Sequence, residues 1–238
     1  MVFRNMNGLE VKYSIKLSQL NVNVAAVLRY LGYVRVPFEH GVEDYIQSLI
    51  EEATGKLDIS CGFRWEPDWV CKFEPDAVNF KYGQFEVGTK IVTQLAPSET
   101  LAVFIATLGQ RFETWSQGFF AIDDPMSGYL SDAIGSVILE AAEDWLEDQI
   151  AEYFRSESKH LTNRYKPGYC GWDKTERYKL LDLMSKGFSE ISLNPAGVMI
   201  PLKSSCGIIG IGAESVRKFY PCEVCEVESC ALKSLRNE

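Results

Sequence analysis

The most regular pattern of apolar and polar positions in the chain lies between residues 131 and 158. Apolar side chains recur there three and four residues apart, which is the spacing of one face of an α-helix. They are Ile134, Val137, Ile138, Ala141, Trp145, Leu146, Ile150, Tyr153 and Phe154. The opposite side carries the acidic residues Glu140, Glu143, Asp144, Glu147, Asp148 and Glu152. The pattern predicts a long helix over 131–158, and we expect its acidic side to be a solvated face.

The N-terminal part of the chain predicts two helices followed by strands. Asn21 and Asn23 can cap a first helix that Gly32 closes, and a second periodic segment runs from residue 42 to about Gly55. Strand-like runs follow at 58–65, 70–73 and 85–95. The apolar run LAVFIATLG predicts a buried strand that leads into a helix containing Phe112 and Trp115.

The C-terminal part predicts shorter elements. A glycine- and proline-containing loop at 166–171 precedes a predicted helix over 174–185, and short strands are expected at 191–193, 198–200 and 207–212. Strands and helices are mixed without regular βαβ alternation, so the α+β class is favoured over a doubly wound α/β fold. Because no repeat or linker divides the chain, we expect one domain over 1–217 and a cysteine-containing tail over 218–238.

Composition and charge narrow the function classes. The chain has 238 residues, of which 46% are hydrophobic, and this is enough to bury a sizeable core. Its 24 basic and 33 acidic residues give a net charge of -9, which argues against a partner that is a nucleic acid or an anionic membrane. No signal peptide is visible, and no apolar run approaches the roughly 20 residues of a membrane span. We therefore expect a cytoplasmic protein.

The cysteines point to metal chemistry at one place. Seven cysteines, most of them scattered, argue against a disulfide framework, and two histidines exclude a histidine-rich metal centre. Cys222, Cys225 and Cys230 have the spacing C-x-x-C-x4-C, which can hold zinc or an iron–sulfur cluster once a fourth ligand is supplied. The alternative is an unliganded tail of reduced thiols.

Two further segments have the composition of a ligand site. Arg164, Gly168 and Tyr169 form an R-x-x-x-G-Y motif that offers a guanidinium fork, a close backbone approach and an aromatic ring. This set suits a zwitterionic, cationic, aromatic ligand, although a structural turn with a surface arginine is the plainer interpretation. The segment MIPLKSSCGIIGIG, over 199–212, is rich in small residues that leave backbone open to a flat ligand. Its glycines are equally typical of tight strand crossings.

Taken together, residues 164–212 closely resemble the reactivation domain of cobalamin-dependent methionine synthase, and more specifically its stand-alone relatives. The resemblance is carried by the segments PGYCGW, ISLNPAG and MIPLKSSCGIIGIG, and upstream by VLRYLGY, VFIATLG and EDWLEDQIAEY, so that it covers the chain from about residue 24 onward. It implies a single α+β domain with a curved, mostly antiparallel sheet flanked by helices.

The resemblance also implies a binding site for S-adenosylmethionine. Arg164 would bind the methionine carboxylate, Lys166 would offer backbone groups to the adenine, and Gly168 would allow close approach. Tyr169 would lie between the methyl donor and the corrin, as the residue nearest the chemistry. An acidic residue of the preceding helix is expected at Asp148, with Glu147 as the neighbouring alternative. The residues expected to face the corrin are Met199, Pro201, Ser204 and Ser205.

This chain departs from the family pattern at several positions. Asn194 and Pro195 replace a Glu-Ser pair, and Cys170 and Cys206 stand where glycine or proline and a small residue are expected. We interpret both cysteines as small buried residues rather than as nucleophiles.

The function implied by the resemblance is repair. The protein would support reductive methylation of cob(II)alamin on a separate corrinoid methyltransferase such as methionine synthase, with flavodoxin or ferredoxin as the electron donor. The chain has no D-x-H-x-x-G motif, so the cobalamin is expected to be carried by the partner. Two other classes stay open: a non-catalytic module that binds a corrinoid protein, and an electron-transfer accessory protein with a metal or iron–sulfur centre.

Overall fold

The fold is described here from a computed structural model that covers residues 2–5, 8–33 and 41–218. The strands, in chain order, are β1 (Val2–Asn5), β2 (Gly8–Ser14), β3 (Ser60–Trp65), β4 (Val70–Phe73), β5 (Val78–Phe80), β6 (Gly83–Phe85), β7 (Thr100–Thr107), β8 (His160–Tyr165), β9 (Ser192–Leu193), β10 (Met199–Ile200) and β11 (Ser204–Gly212). The α-helices are α1 (Val24–Tyr30), α2 (Val42–Thr54), α3 (Thr89–Leu95), α4 (Gln110–Ala121), α5 (Pro125–Phe154) and α6 (Arg177–Asp182). Short 3₁₀ turns lie at Leu17–Gln19, Arg155–Glu157 and Lys174–Glu176.

Six strands form the main sheet in the order β1-β2-β3-β7-β11-β8, and every neighbouring pair is antiparallel. Three short strands, β4, β5 and β6, form a second sheet, and β9 pairs with β10 in a two-stranded hairpin. The expected α+β class with an antiparallel sheet flanked by helices is thereby confirmed.

Both faces of the main sheet are covered, as the central strand β7 shows. Every residue of β7 is buried. Ala102, Phe104 and Ala106 point into a core shared with α1, α2, α4 and α5. The alternate residues Leu101, Val103 and Ile105 point into a second core, which includes residues of β5, α3 and α6. This alternation is the period of two that an extended strand imposes, with apolar contacts available on both sides.

Local signals placed the start of α1 correctly, but the bounds of two later helices differ from the prediction. Asn23 caps α1, because its side chain accepts a hydrogen bond of 2.9 Å from the backbone nitrogen of Ala26. The long helix α5 begins earlier than expected, since Asp124 caps it by accepting from the backbone nitrogen of Ser127 at 3.0 Å. It ends at Phe154, and the expected helix over 174–185 is shortened to a 3₁₀ turn followed by α6.

The strand expected over 85–95 is wrong for most of its length. The backbone turns at Gly88, where φ is +82°, and continues as the helix α3. Ile91, Val92 and Leu95 then lie at helical spacing and are buried in the second core. Short apolar runs fit both a strand and a buried helix, and here tertiary burial favours the helix.

Within the described ranges, no helix combines the length and the apolar character that a membrane crossing requires. The tail expected over 218–238 falls almost entirely outside these ranges.

Candidate functional site

Arg164 lies on β8, one of the two edge strands of the main sheet, and its side chain is directed against α5. Only 4% of that side chain is exposed. Its Nε lies 2.8 Å from Oε2 of Glu143, and its Nη1 lies 2.7 Å from Asp144 and 2.9 Å from Glu147. Its Nη2 donates to Oε1 of Glu140. Every nitrogen of the guanidinium therefore faces a carboxylate of α5.

The helical repeat explains why four acids meet one arginine. Residues 140, 143, 144 and 147 are three or four positions apart, so they lie on one face of α5. Lys166 joins the same group, with its Nζ 2.7 Å from Oε2 of Glu143 and 3.5 Å from Oε2 of Glu140. We call this set the Arg164 cluster; it comprises Arg164, Lys166, Glu140, Glu143, Asp144 and Glu147.

The carboxylates of the cluster keep Arg164 and Lys166 positively charged. Burial by itself disfavours a cation, but the nearby carboxylates of Glu140, Glu147, Glu143 and Asp144 outweigh it and raise the pKa of Arg164 well above its ordinary value. The pKa of Lys166 is likewise raised, because Glu140 and Glu143 outweigh its burial and the repulsion from Arg164. Arg164 and Lys166 are therefore both held in the protonated, charged form at neutral pH.

The expectation that the acidic side of the long helix is solvated is wrong for three of its residues. Glu140, Glu143 and Glu147 are buried, with exposed fractions of 9%, 1% and 3%. The cause is Arg164, which supplies a buried countercharge from a strand packed on the helix. Asp148 is placed differently: its side chain is 73% exposed and lies 3.6 Å from Nη1 of Arg217. The structure therefore brings Glu147, and not Asp148, to Arg164.

A cleft of about 210 Å³ opens beside the cluster, between α5 and the start of β11. Five residues named by the motif resemblance line it: Lys166, Tyr169, Met199, Ser204 and Ser205. Other lining residues include Glu140, Glu143, Arg177, Lys203 and Cys206. Gly168 belongs to the adjoining loop, where its φ of +100° requires glycine or strain. Arg164, Pro201 and Asp148 do not line the cleft, and Asp148 lines a separate cavity on another side of α5.

Two buried polar atoms of residues that line the cleft have no hydrogen-bond partner in the described part of the chain. They are Oε1 of Glu143 and Oγ of Ser205, which belong to residues only 1% and 5% exposed. An unsatisfied buried polar atom costs about 1–3 kcal/mol, more when it is charged. Such atoms therefore mark a place where a polar or cationic ligand group would be stabilised.

Sequence reasoning named neither Glu143 nor Arg177 as site residues. For Glu143 a signal existed, because its spacing from Glu140 and Glu147 places all three on one face of the helix. For Arg177 no pattern in the sequence distinguishes it from the other basic residues. Its place at the cleft depends on how the loop after β8 returns to α6.

Two departures from the family motif have structural explanations. The side chain of Asn194 accepts hydrogen bonds from the backbone nitrogens of Ala196 and Val198, at 2.9 and 3.0 Å, and so shapes the β9–β10 turn. Cys206 is buried, and this burial raises the pKa of its thiol to about 12. The thiol is therefore protonated at neutral pH, which fits the interpretation as a small core residue. Cys170 is partly buried, at a φ of +52°.

The metal site expected in the tail is not reached by the structure. Cys222, Cys225 and Cys230 lie outside the described residues, so their ligation of zinc or an iron–sulfur cluster stays a prediction. Over 2–5, 8–33 and 41–218, no three histidine, cysteine or acidic side chains are grouped in a way that would hold a metal ion.

Comparison with known proteins defines the class of fold. No protein-family model and no curated protein matches the sequence. Among solved structures, the chain is similar to the crystal structure of the MetH reactivation domain bound to AdoHcy, with a TM-score of 0.61 and 13% sequence identity. The match covers 89% of this chain and 80% of that chain. The chain therefore has the α+β fold of that reactivation domain, and at this level of identity the likeness concerns the fold alone.

Proposed function

We propose that this chain is a reactivation protein that binds S-adenosylmethionine and supports reductive methylation of cob(II)alamin on a separate corrinoid methyltransferase, such as methionine synthase. The observation that carries the proposal is that residues named by the motif resemblance line one cleft, in a chain whose fold resembles a domain solved with AdoHcy. The motifs name Lys166, Tyr169, Met199, Ser204 and Ser205, and these five line a single cleft. The fold matches a domain whose solved structure holds AdoHcy.

The residues of the cleft fit such a ligand. S-adenosylmethionine carries an ammonium group and a sulfonium, both cationic. Oε1 of Glu143, which lacks a partner in the described part of the chain, can accept from the ammonium, and Oγ of Ser205 can hydrogen-bond beside it. Tyr169 is 38% exposed, and the face of its aromatic ring would attract a sulfonium. A cleft of about 210 Å³ encloses only part of this ligand, so the remainder would face a docked partner.

The work of the chain's own residues is binding and orientation. When bound, S-adenosylmethionine supplies the methyl group, while a flavodoxin or ferredoxin supplies the single electron that converts the partner's Co(II) into Co(I). Methyl transfer between a sulfonium and Co(I) requires alignment but no proton transfer. A protonated Cys206 thiol and the permanently charged Arg164 and Lys166 are consistent with residues that position the ligand rather than transfer protons. Leu202, which is 49% exposed at the rim, offers an apolar contact for the partner's corrin.

The first test is calorimetric titration of the purified chain with S-adenosylmethionine. We expect binding by the wild type and a loss of at least about tenfold in affinity for Tyr169→Ala, since one aromatic contact with a cation is removed. Tyr129→Ala is the matched control, because Tyr129 is 58% exposed on α5 and does not line the cleft. Equal binding by Tyr169→Ala and wild type would remove the cleft from the proposal.

The second test measures the reaction itself. A corrinoid methyltransferase held in the cob(II)alamin state is mixed with reductant, S-adenosylmethionine and this chain. We expect the absorbance spectrum to change to that of methylcobalamin only when the chain is present. Binding of S-adenosylmethionine without this conversion would contradict the proposed role.

One observation favours a second candidate, the non-catalytic module that binds a corrinoid protein. Arg164, which the resemblance assigns to the methionine carboxylate, is enclosed by four carboxylates and is only 4% exposed. A chain that fails to bind S-adenosylmethionine but binds a corrinoid methyltransferase would support this candidate.

A further inference from the structure

Four cations lie in or directly behind the cleft, and three of them are already paired with carboxylates. Arg164 faces Glu140, Glu143, Asp144 and Glu147. Lys166 faces Glu143 and Glu140. Lys203 lies 2.8 Å from Oδ1 of Asp132. The fourth, Arg177, forms no ion pair within the ranges 2–5, 8–33 and 41–218.

Arg177 is held in place by neutral groups. Its Nη1 donates to the carbonyl of Gly197 at 2.9 Å, and its Nη2 donates to the carbonyl of Pro167 at 3.2 Å. A guanidinium has five N–H donors, so these two bonds fix the plane of the group and leave further donors for a ligand. The side chain is thus oriented without being neutralised.

The neighbouring acid does not compensate this charge. Glu176 precedes Arg177 in the chain, but its Oε2 accepts from the indole nitrogen of Trp172 at 2.9 Å and from the backbone nitrogen of Glu86 at 3.0 Å. Its Oε1 accepts from Lys179. Both carboxylate oxygens of Glu176 are therefore occupied by Trp172, by the backbone that follows β6 and by Lys179 of α6.

Arg177 also lies against the loop of the R-x-x-x-G-Y motif. A methyl group added at Gly168 would come within 3.3 Å of Nη2 of Arg177. The guanidinium, Tyr169 and Glu143 line the same cleft. A guanidinium fork and a carboxylate with one unsatisfied oxygen, on two residues that line the same cleft, are the two groups that the zwitterionic end of an α-amino acid requires.

We infer that Arg177, rather than Arg164, binds the carboxylate of the ligand's amino-acid end. This inference rests on the proposed function, because it assigns one contact of the same S-adenosylmethionine site. Arg164 is then a positioning residue, which holds the carboxylates of α5 and so fixes the side chain of Glu143 at the cleft. The assignment differs from the one that the motif resemblance implies.

The experiment compares two ligands that differ only in the carboxylate. Wild type and Arg177→Met are titrated by calorimetry with S-adenosylmethionine and with decarboxylated S-adenosylmethionine. We expect Arg177→Met to lose at least about tenfold in affinity for S-adenosylmethionine, because a charged bidentate contact is removed, and to bind the decarboxylated ligand within about twofold of wild type. Lys174→Met is the matched control: it removes one exposed positive charge near Arg177 and does not line the cleft.

The outcomes separate the two proposals. Wild type that binds neither ligand overturns the proposed function and this inference together. If Arg177→Met binds S-adenosylmethionine as tightly as wild type does, the inference alone is overturned. An equal loss of affinity for both ligands also overturns it, because such a loss would indicate a structural role. If Arg177→Met does not fold, Arg177→Lys keeps a donor for the two carbonyls and is expected to weaken only the binding of S-adenosylmethionine.

Discussion

Glu143 and Arg164 form a buried ion pair in which Nε of the arginine lies 2.8 Å from Oε2 of the glutamate. The other oxygen of Glu143, Oε1, has no hydrogen-bond partner in the described part of the chain. One carboxylate therefore faces the ionic network with one oxygen while its residue lines the cleft. The stability of the helix–strand contact and the electrostatics of the candidate site are linked through this single side chain.

Substituting Arg164 by methionine is expected to destabilise the fold strongly. The change leaves the buried carboxylates of Glu140, Glu143 and Glu147 without their main countercharge. Breaking a buried pair from one side costs about 3–5 kcal/mol of the free energy of unfolding. Urea denaturation followed by tryptophan fluorescence measures this loss.

Arg155→Met is the control for that measurement. Arg155 pairs with Glu152 at 2.6 Å, but their side chains are 77% and 61% exposed. An exposed pair contributes only about 0–1 kcal/mol. A similar, small effect of both substitutions would show that the Arg164 cluster does not hold β8 on α5.

Glu143→Gln is expected to weaken the binding of S-adenosylmethionine more than Asp144→Asn does. Both residues contact Arg164, but only Glu143 lines the cleft. We expect a loss of at least about tenfold for Glu143→Gln, since a neutral amide cannot form a charged contact with an ammonium group. Calorimetric titration of the two variants measures the difference, and equal affinities would exclude Glu143 from the ligand contact.

The buried thiol of Cys206 is expected to make the stability of the folded protein depend on pH. Burial raises the pKa of its thiol from 9.0 to about 12. Below pH 9 both the folded and the unfolded chain keep the proton, so the contribution of this group is fully present. Above that, the unfolded chain loses its proton first, and the free energy of unfolding falls by about 1.4 kcal/mol per pH unit until the folded thiol titrates.

The comparison that isolates this effect is wild type against Cys206→Ala. Urea denaturation of both proteins at about pH 8 and about pH 10.5 gives the difference in stability at each pH. We expect wild type to lose stability relative to the variant as the pH rises. A difference that does not change with pH would mean that the thiol is not buried in the folded protein.

Gly207 tests how tightly β11 packs against its neighbouring strands, and Gly118 of α4 is its control. A methyl group at Gly207 would lie 2.3 Å from the carbonyl oxygen of Tyr165 and 2.7 Å from the ring of Phe104. Gly207→Ala is therefore expected to destabilise by about 1–3 kcal/mol or more, because backbone must move. Gly118 lies in α4 with nothing within 4 Å of such a methyl group, so Gly118→Ala is expected to stabilise by up to about 1 kcal/mol.

Thermal unfolding of these two variants gives shifts in opposite directions if the packing is as described. A Gly207→Ala variant as stable as wild type would mean that the strands are further apart. Arg164 and Lys166, which flank Tyr165 in the chain, both pair with Glu143 of α5.

The sequence predicted the elements that depend on local chemistry. The spacing of apolar residues gave the long helix α5, and the asparagine at position 23 gave the start of α1. Where local chemistry is ambiguous, the prediction failed: the run over 85–95 reads as a strand but forms α3 after the turn at Gly88. Five of the residues that the motifs name line one cleft, and their role in binding a ligand stays a prediction.

Only the tertiary structure decided which charges meet. The periodicity of α5 put four acids on one face, but whether that face is solvated depended on Arg164, which lies on another element of the fold. Which of Glu147 and Asp148 lies beside Arg164 depended in the same way on the rotation of α5 against β8. Helix spacing and capping depend on residues a few positions apart in the sequence. A buried ion pair depends on how distant segments pack, and the hydropathy pattern of the sequence does not contain that information.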